Sequence, residues 1–139
     1  MSMTGAVSIT LPVLWSDMDA LGHVNNARFF TWFESARIEL FERIGVVTHG
    51  PLTVGPILAT TTCDFLRPVL FPCSVHVSVR VSRVGETSLT MEYAIRDAES
   101  DTQYARGSSV AVLIDYRSSE KVRVPEDVRR AIEALATAG

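Results

Sequence analysis

The chain has 139 residues, of which 47% are apolar and 21% charged, with a net charge of −3. That is one domain's length, enough to bury a single core, with the composition of an ordinary globule. The acidic balance makes no electrostatic case for nucleic acid or for an anionic membrane.

Twelve of the 13 cations are Arg and one is Lys121. Arg grips phosphate better than Lys, but a genome that favours Arg codons explains the bias more simply. Cys63 and Cys73 match no zinc or redox motif by their spacing. They are expected to be reduced thiols on strands of a cytoplasmic protein. The opening "MSMTGAVSIT" carries neither a basic patch nor an apolar h-region, so it does not read as a secretion signal. The longest strongly apolar run, "VAVLI", is far short of the ~20 residues that cross a bilayer.

In chain order, the alternation of "VSITLPVLWS" predicts a first strand over roughly 7–16. A loop follows over 17–25. Asn25 can then cap a helix, with Val24 before it and Phe29 four positions inside, the spacing of a hydrophobic staple. Phe29, Phe33, Ala36, Leu40 and Ile44 recur at helical spacing, and Phe30, Trp32 and Phe41 widen the stripe. Glu39 and Arg43 form an i,i+4 pair, and Gly45 suits the C-terminal end. The result is a helix of about 19 residues, ~28 Å long, expected to be buried on most sides.

The Gly- and Pro-rich "GVVTHGPLTVGP" reads as a loop. "ILATTTCDFLRP" reads as a strand ended by Pro68, and "SVHVSVRVSRV" as a strictly alternating one. "TSLTMEYAIRD" follows across a "VGET" hairpin, with Leu89, Met91, Tyr93 and Ile95 inward. "QYARGSSVAVLIDY" is the last strand and "PEDVRRAIEAL" a C-terminal helix with Pro125 in its first turn. The links are too short for parallel crossovers. The expected fold class is therefore α+β, one antiparallel sheet wrapped around one long helix, in a single domain over 1–139.

The chemistry concentrates at residues 15–37, "WSDMDALGHVNNARFFTWFESAR". "DMDALG" begins like a calcium loop, but Leu21 and Arg28 stand where oxygen ligands belong. Asp17, Asp19 and His23 suit a divalent metal by type only if they converge, and no metal is expected. A carboxylate just ahead of a helix start lies near unpaired N–H groups and the positive end of the dipole. A carbonyl placed there is polarised, and a nearby Asp can attack its carbon or activate water. Acyl transfer over an apolar floor is one reading; a plain capping or turn role for the aspartates is the other.

The stretch 15–37 is similar to the signature of the 4-hydroxybenzoyl-CoA thioesterase-like acyl-CoA thioesterases, which have the hotdog fold. "DFLRPVLFPCSVHVSVRVSRVGETSLTMEYAIRD" resembles the same family's middle, with its "RP" after the second strand. The resemblance implies hydrolysis of an acyl-CoA substrate to free acid and CoA, with no cofactor. Asp19, the second aspartate of D-x-D, would be nucleophile or general base. A helix-start N–H would polarise the carbonyl, and the protein would be a homodimer or homotetramer. Asp17 is expected to bond loop N–H groups. His23 would orient the site or protonate the departing thiol. Asn25 and Asn26 would brace the loop or touch substrate, and Phe29, Trp32 and Phe33 would border the acyl pocket. The family usually has Tyr at the position of Phe29, which implies a greasier pocket that favours an aliphatic or unsubstituted acyl group. Arg67, Arg80 and Arg83 are candidates for the CoA phosphates, with plain solvation as their other reading. Glu34 would pair with Arg37 or brace the loop. Competing functions are a hydratase or dehydratase of acyl thioesters and a non-catalytic acyl-CoA-binding protein.

Overall fold

A computed structural model of the chain describes residues 4–51 and 53–138. Residues 1–3 of the N-terminal stretch and Leu52 of the Gly/Pro loop lie outside the described residues. The elements are β1 (Val7–Pro12), α1 (Asn26–Ile44), β2 (Val54–Phe65), β3 (Ser74–Val84), β4 (Ser88–Asp97), β5 (Gln103–Asp115) and α2 (Glu126–Ala138). The strands form one sheet in the order β1-β3-β4-β5-β2, every neighbouring pair antiparallel. A long helix laid on such a sheet, with a short C-terminal helix, is the hotdog layout that the sequence implies.

Three boundaries differ from expectation. β1 stops at Pro12, paired with Ser74; one further bond, from the Val13 N–H to the Cys73 carbonyl at 2.8 Å, is made before the chain turns away. The chain then makes a 3-10 turn over Trp15–Asp17. β2 starts earlier than its sequence suggests, taking up Gly55 and Pro56, because β5 runs on to Asp115 and pairs with Val54. Pro56 is tolerated on what is an edge strand. Pro125 precedes α2, its carbonyl accepting the Arg129 N–H at 3.0 Å. The Arg129 guanidinium in turn donates to the Gly85 carbonyl at 2.9 Å and moors α2 to the β3–β4 hairpin.

The alternation of β3 and β4 holds in the core. Val75, Val77, Val79, Leu89, Met91, Tyr93 and Ile95 are all buried toward α1, where they meet Phe29, Phe33, Ala36, Leu40 and Ile44. A register shift between Val81 and Arg83 ends the regular alternation. Burial of α1 on most sides is not found. Arg28, Thr31, Glu34, Ile38 and Glu42 are exposed, because the sheet covers one flank of the helix and ends at β2. Among the described residues, no helix is long and apolar enough to cross a membrane.

Helix and sheet approach closely at Gly107 of β5. A Cβ there would stand 2.5 Å from Phe33 Cε2 and closer still to the Thr62 carbonyl oxygen. The Phe33 ring uses that space to stack on Tyr93, with centroids 4.3 Å apart. Gly107→Ala is therefore expected to lower the unfolding free energy by about 1–3 kcal/mol, the scale of overpacking. Urea denaturation measures this, and adding Phe33→Leu should recover part of the loss. Cys63, packed on the helix side of β2, has its thiol pushed up to about 11, first by burial and then by Asp64. A raised pKa leaves the thiol neutral. Its alkylation by iodoacetamide should be slow at pH 8 and rise about tenfold per pH unit with no plateau near pH 9, unlike an ordinary cysteine.

Candidate active site at the start of the central helix

Residues 17–25 fold into a miniature hairpin. The Asn25 N–H donates to the Asp17 carbonyl at 2.9 Å, and the Asp19 N–H donates to the His23 carbonyl at 3.0 Å. Met18 and Val24 form a bridge between these two pairs. The tip closes with the Gly22 N–H on the Asp19 carbonyl at 3.1 Å. Gly22 has φ +89°, a left-handed conformation that glycine adopts without strain. The Val24 N–H donates to the Val69 carbonyl at 2.9 Å, which fastens the hairpin to the segment before β3.

The two aspartates are held in opposite ways. Asp17 is 6% exposed. One of its oxygens accepts the Leu14 N–H at 2.8 Å, and the other lies 3.2 Å from Arg28 Nε in the first turn of α1. Asp19 is half-buried. Its Oδ1 accepts the Leu21 N–H at 2.9 Å, a local turn bond. Its Oδ2 has no partner among the described residues.

The helix start is laid out by Asn25. Its side-chain oxygen accepts the Ala27 N–H at 2.9 Å, and its carbonyl accepts the Arg28 N–H at 2.9 Å. The Asn26 N–H, first in the helix, has no acceptor among the described residues, and the dipole adds positive character there. Two clefts flank this turn. One, of about 200 Å³, is lined by His23, Asn26, Phe29, Phe65 and Arg67. The other, of about 280 Å³, is lined by Ser16, Asp17, Asn25, Arg28 and Thr31. Asp19 lines neither cleft and stands in the hairpin that leads into α1.

Of the residues singled out in the sequence, the fold thus gathers Asp17, Asp19, His23, Asn25, Asn26, Phe29 and Arg67 at one end of α1. Phe29 packs on Trp32 and Phe65, with centroids 5.2 and 5.0 Å away. Phe33 is fully buried and belongs to the core, not to either cleft. Arg67 donates to the Gln103 carbonyl at 3.4 Å and is exposed. Arg80 is bound to Glu92 at 2.6 Å on the sheet face away from the helix. Arg83 lies beyond the β3 bulge, opposite Thr90, so neither is near the hairpin. Among the described residues, Glu34 makes no ion pair with Arg37. A cavity of about 470 Å³ is on that far sheet face. Its charges are partly spent on one another, as in the Arg106–Asp64 pair at 3.3 Å. Among the described residues, no three His, Cys, Asp or Glu gather to hold a metal, and this includes Asp17, Asp19 and His23.

Two polar residues beneath the open face of α1 do not stand out in the sequence analysis. Arg37 is 8% exposed and donates from Nη1 to the Tyr93 hydroxyl at 2.9 Å. Its position four residues after Phe33, inside the apolar stripe, is a legible signal. Among the described residues, Thr61 Oγ1 is buried with no hydrogen-bond partner; nothing in the run "ATTTC" marks it out.

Comparison with known proteins agrees with the geometry. The family model for the thioesterase-like superfamily matches residues 13–132. The structure is similar to a thioesterase from Thermus thermophilus solved with coenzyme A and Zn. The two are 32% identical, with a TM-score of 0.82 over 99% of this chain and 98% of that one. It is also similar to PA2801 of Pseudomonas aeruginosa, 32% identical, with a TM-score of 0.83 over 90% of this chain and 96% of that one. A chloroplastic acyl-acyl carrier protein thioesterase of Arabidopsis thaliana, ATL2, is 29% identical over 129 residues, 90% of this chain and 67% of that protein. The family match over most of the chain, with a fold shared with the Thermus and Pseudomonas structures, places the chain in the thioesterase-like superfamily as a thioester hydrolase.

Proposed function

We propose that the chain hydrolyses an acyl-CoA thioester at the start of α1, with Asp19 as the carboxylate that acts on the carbonyl carbon. The observation that carries this reading is the free Asn26 N–H at the foot of a hairpin that leaves one Asp19 oxygen unpaired. The thioester oxygen would accept the Asn26 N–H, which is oriented before the reaction begins, an arrangement worth ~10²–10³ in rate. Asp19 Oδ2 would add to the carbon and expel CoA thiolate, leaving an acyl anhydride that water opens. Alternatively it would take a proton from water as that water adds. Both routes release free acid and CoA. Thioesters lack much of the resonance that protects esters, so a carboxylate suffices. A thiol with a pKa of about 8.5, as in cysteine, leaves readily. His23 and Arg67 line the cleft where the thiol end would lie, and Phe29 and Phe65 give its acyl side an apolar wall.

Coenzyme A as the carrier is supported by the Thermus relative solved with it, and the Arabidopsis relative makes acyl carrier protein the rival to test beside it. A homodimer is supported by β2. It is an edge strand of 12 residues with exposed Ile57, Leu58 and Phe65, and such an edge is a template for a second copy. Light scattering should give at least twice the chain mass of 15.3 kDa, and a monomer at micromolar concentration would remove this part of the reading.

Asp19→Asn keeps an acceptor for the Leu21 N–H and should leave the fold intact. Turnover of acyl-CoA, followed by release of free thiol, should fall by ~10³ or more. A residual rate within tenfold of the parent would end the assignment. Asp17→Ala should do the reverse. It strands the Leu14 N–H and frees Arg28, lowering the unfolding free energy by about 1–3 kcal/mol, while turnover of the folded fraction drops much less.

A further inference from the structure

Two charges line the open face of α1 where it meets β2, Glu34 and Arg37. Among the described residues neither forms an ion pair. Glu34 is exposed. Arg37 is buried, and its bond is to the Tyr93 hydroxyl. A guanidinium has five N–H donors, so most of its capacity is unused in the lone chain. A buried cation needs a counter-charge. The sequence puts a carboxylate one helical turn away, yet within the chain the two do not meet.

The pattern of this face is complementary to itself. In helix order it presents Phe30, Glu34, Arg37 and Phe41, at spacings of four, three and four residues. Two such helices laid antiparallel, with Glu34 opposite the second copy's Arg37, also set Phe30 opposite the second copy's Phe41. The sheet edge allows this arrangement. Phe29 meets Phe65 at the end of β2, while Phe41 shares a cavity with Pro56 near its start, so α1 runs antiparallel to β2. Two β2 edges related by a two-fold axis perpendicular to the sheet pair antiparallel, keep both α1 helices on one face, and make those helices antiparallel as well. Parallel pairing would put the helices on opposite faces and leave both charges unmet. Glu34 and Arg37 share both of their cavities with Leu58, which marks where the axis would pass. Ile38, Ile57 and Leu58 are the exposed apolar side chains around that point.

We propose that Glu34 and Arg37 form reciprocal ion pairs between two copies of this chain, and that these pairs fix the register in which the two β2 strands join. This rests on the homodimer in the proposed function and names the residues that key it. The strand alone specifies register weakly, because Thr60, Thr61 and Thr62 follow one another in β2 and a slipped pairing exchanges one threonine for the next. A slip on the helices separates two opposite charges at each of two contacts. The second copy's carboxylate would also reach the core, since Arg37 is bonded to the tyrosine that stacks on Phe33.

The test is sedimentation of the full chain and of two variants, Glu34→Arg and Arg37→Glu, with circular dichroism to check folding. The parent should be a dimer. Each variant alone sets like charges together at both contacts and should weaken the dimer ~100-fold or more. Mixed one to one, they should recover a mixed dimer, because a copy with two cations then faces a copy with two carboxylates. That recovery separates pairing between copies from a merely structural role of either residue. Glu34→Arg changes an exposed side chain and carries the test alone if Arg37→Glu does not fold. A parent dimer that Glu34→Arg leaves as tight, or two folded variants that stay apart when mixed, would overturn this inference and leave the homodimer standing. A monomeric parent would take the homodimer down with it, while thiol release from acyl-CoA would still decide the thioesterase reading.

Discussion

The site depends on Asp17 more than on any other residue. Its carbonyl takes the Asn25 N–H, so the two ends of the hairpin are joined at the residue that caps α1. Its carboxylate takes the Leu14 N–H and the Arg28 side chain, so the turn before the hairpin and the first turn of the helix are tied to one buried group. Asn25 then supplies an acceptor to the second and third amides of the helix and leaves the first one free. A donor held in this way would have little orientation left to lose if a carbonyl oxygen bound to it, as the proposed function requires. One aspartate is spent on holding the local fold, while the other keeps one oxygen without a partner among the described residues.

The same division of labour runs along the helix. On the sheet side the contacts are dry and tight. Val75, Val77, Val79, Leu89, Met91 and Ile95 are sealed against α1, and the missing side chain of Gly107 lets Phe33 stack on Tyr93. On the other side the sheet stops at β2 and a groove remains. Tyr93 belongs to both. Its ring is part of the core, while its hydroxyl reaches Arg37 and Ser109.

How much of this is legible depends on the range of the interaction. The cap at Asn25, the left-handed Gly45 at the helix end (φ +84°) and the alternation of β3 and β4 are set by neighbours a few residues away. These elements lie within a residue or so of where their sequences put them. The ends of β1 and β2 depart from the sequence reading because a strand's length is decided by its partner. Past Pro12 and Ser74 only the Val13–Cys73 bond remains before β1 gives way to a turn, and Val54 finds Asp115. Phe33 reads as pocket from its neighbours and is core, because the space it fills belongs to Gly107 on a strand far along the chain.

By itself, the order of residues determined the elements, their inward faces and the family, through the twin-aspartate hairpin in front of an aromatic helix. Local hydrogen bonds and side-chain periodicity need no distant partner to be read. Only the tertiary structure decided which aspartate is buried against Arg28, that Arg80 and Arg83 lie away from the hairpin, and that Arg37 and Thr61 share a groove. Each of these depends on how segments of the chain are brought together in space. Burial, which sets what a charged group can do, is a property of the space such contacts enclose.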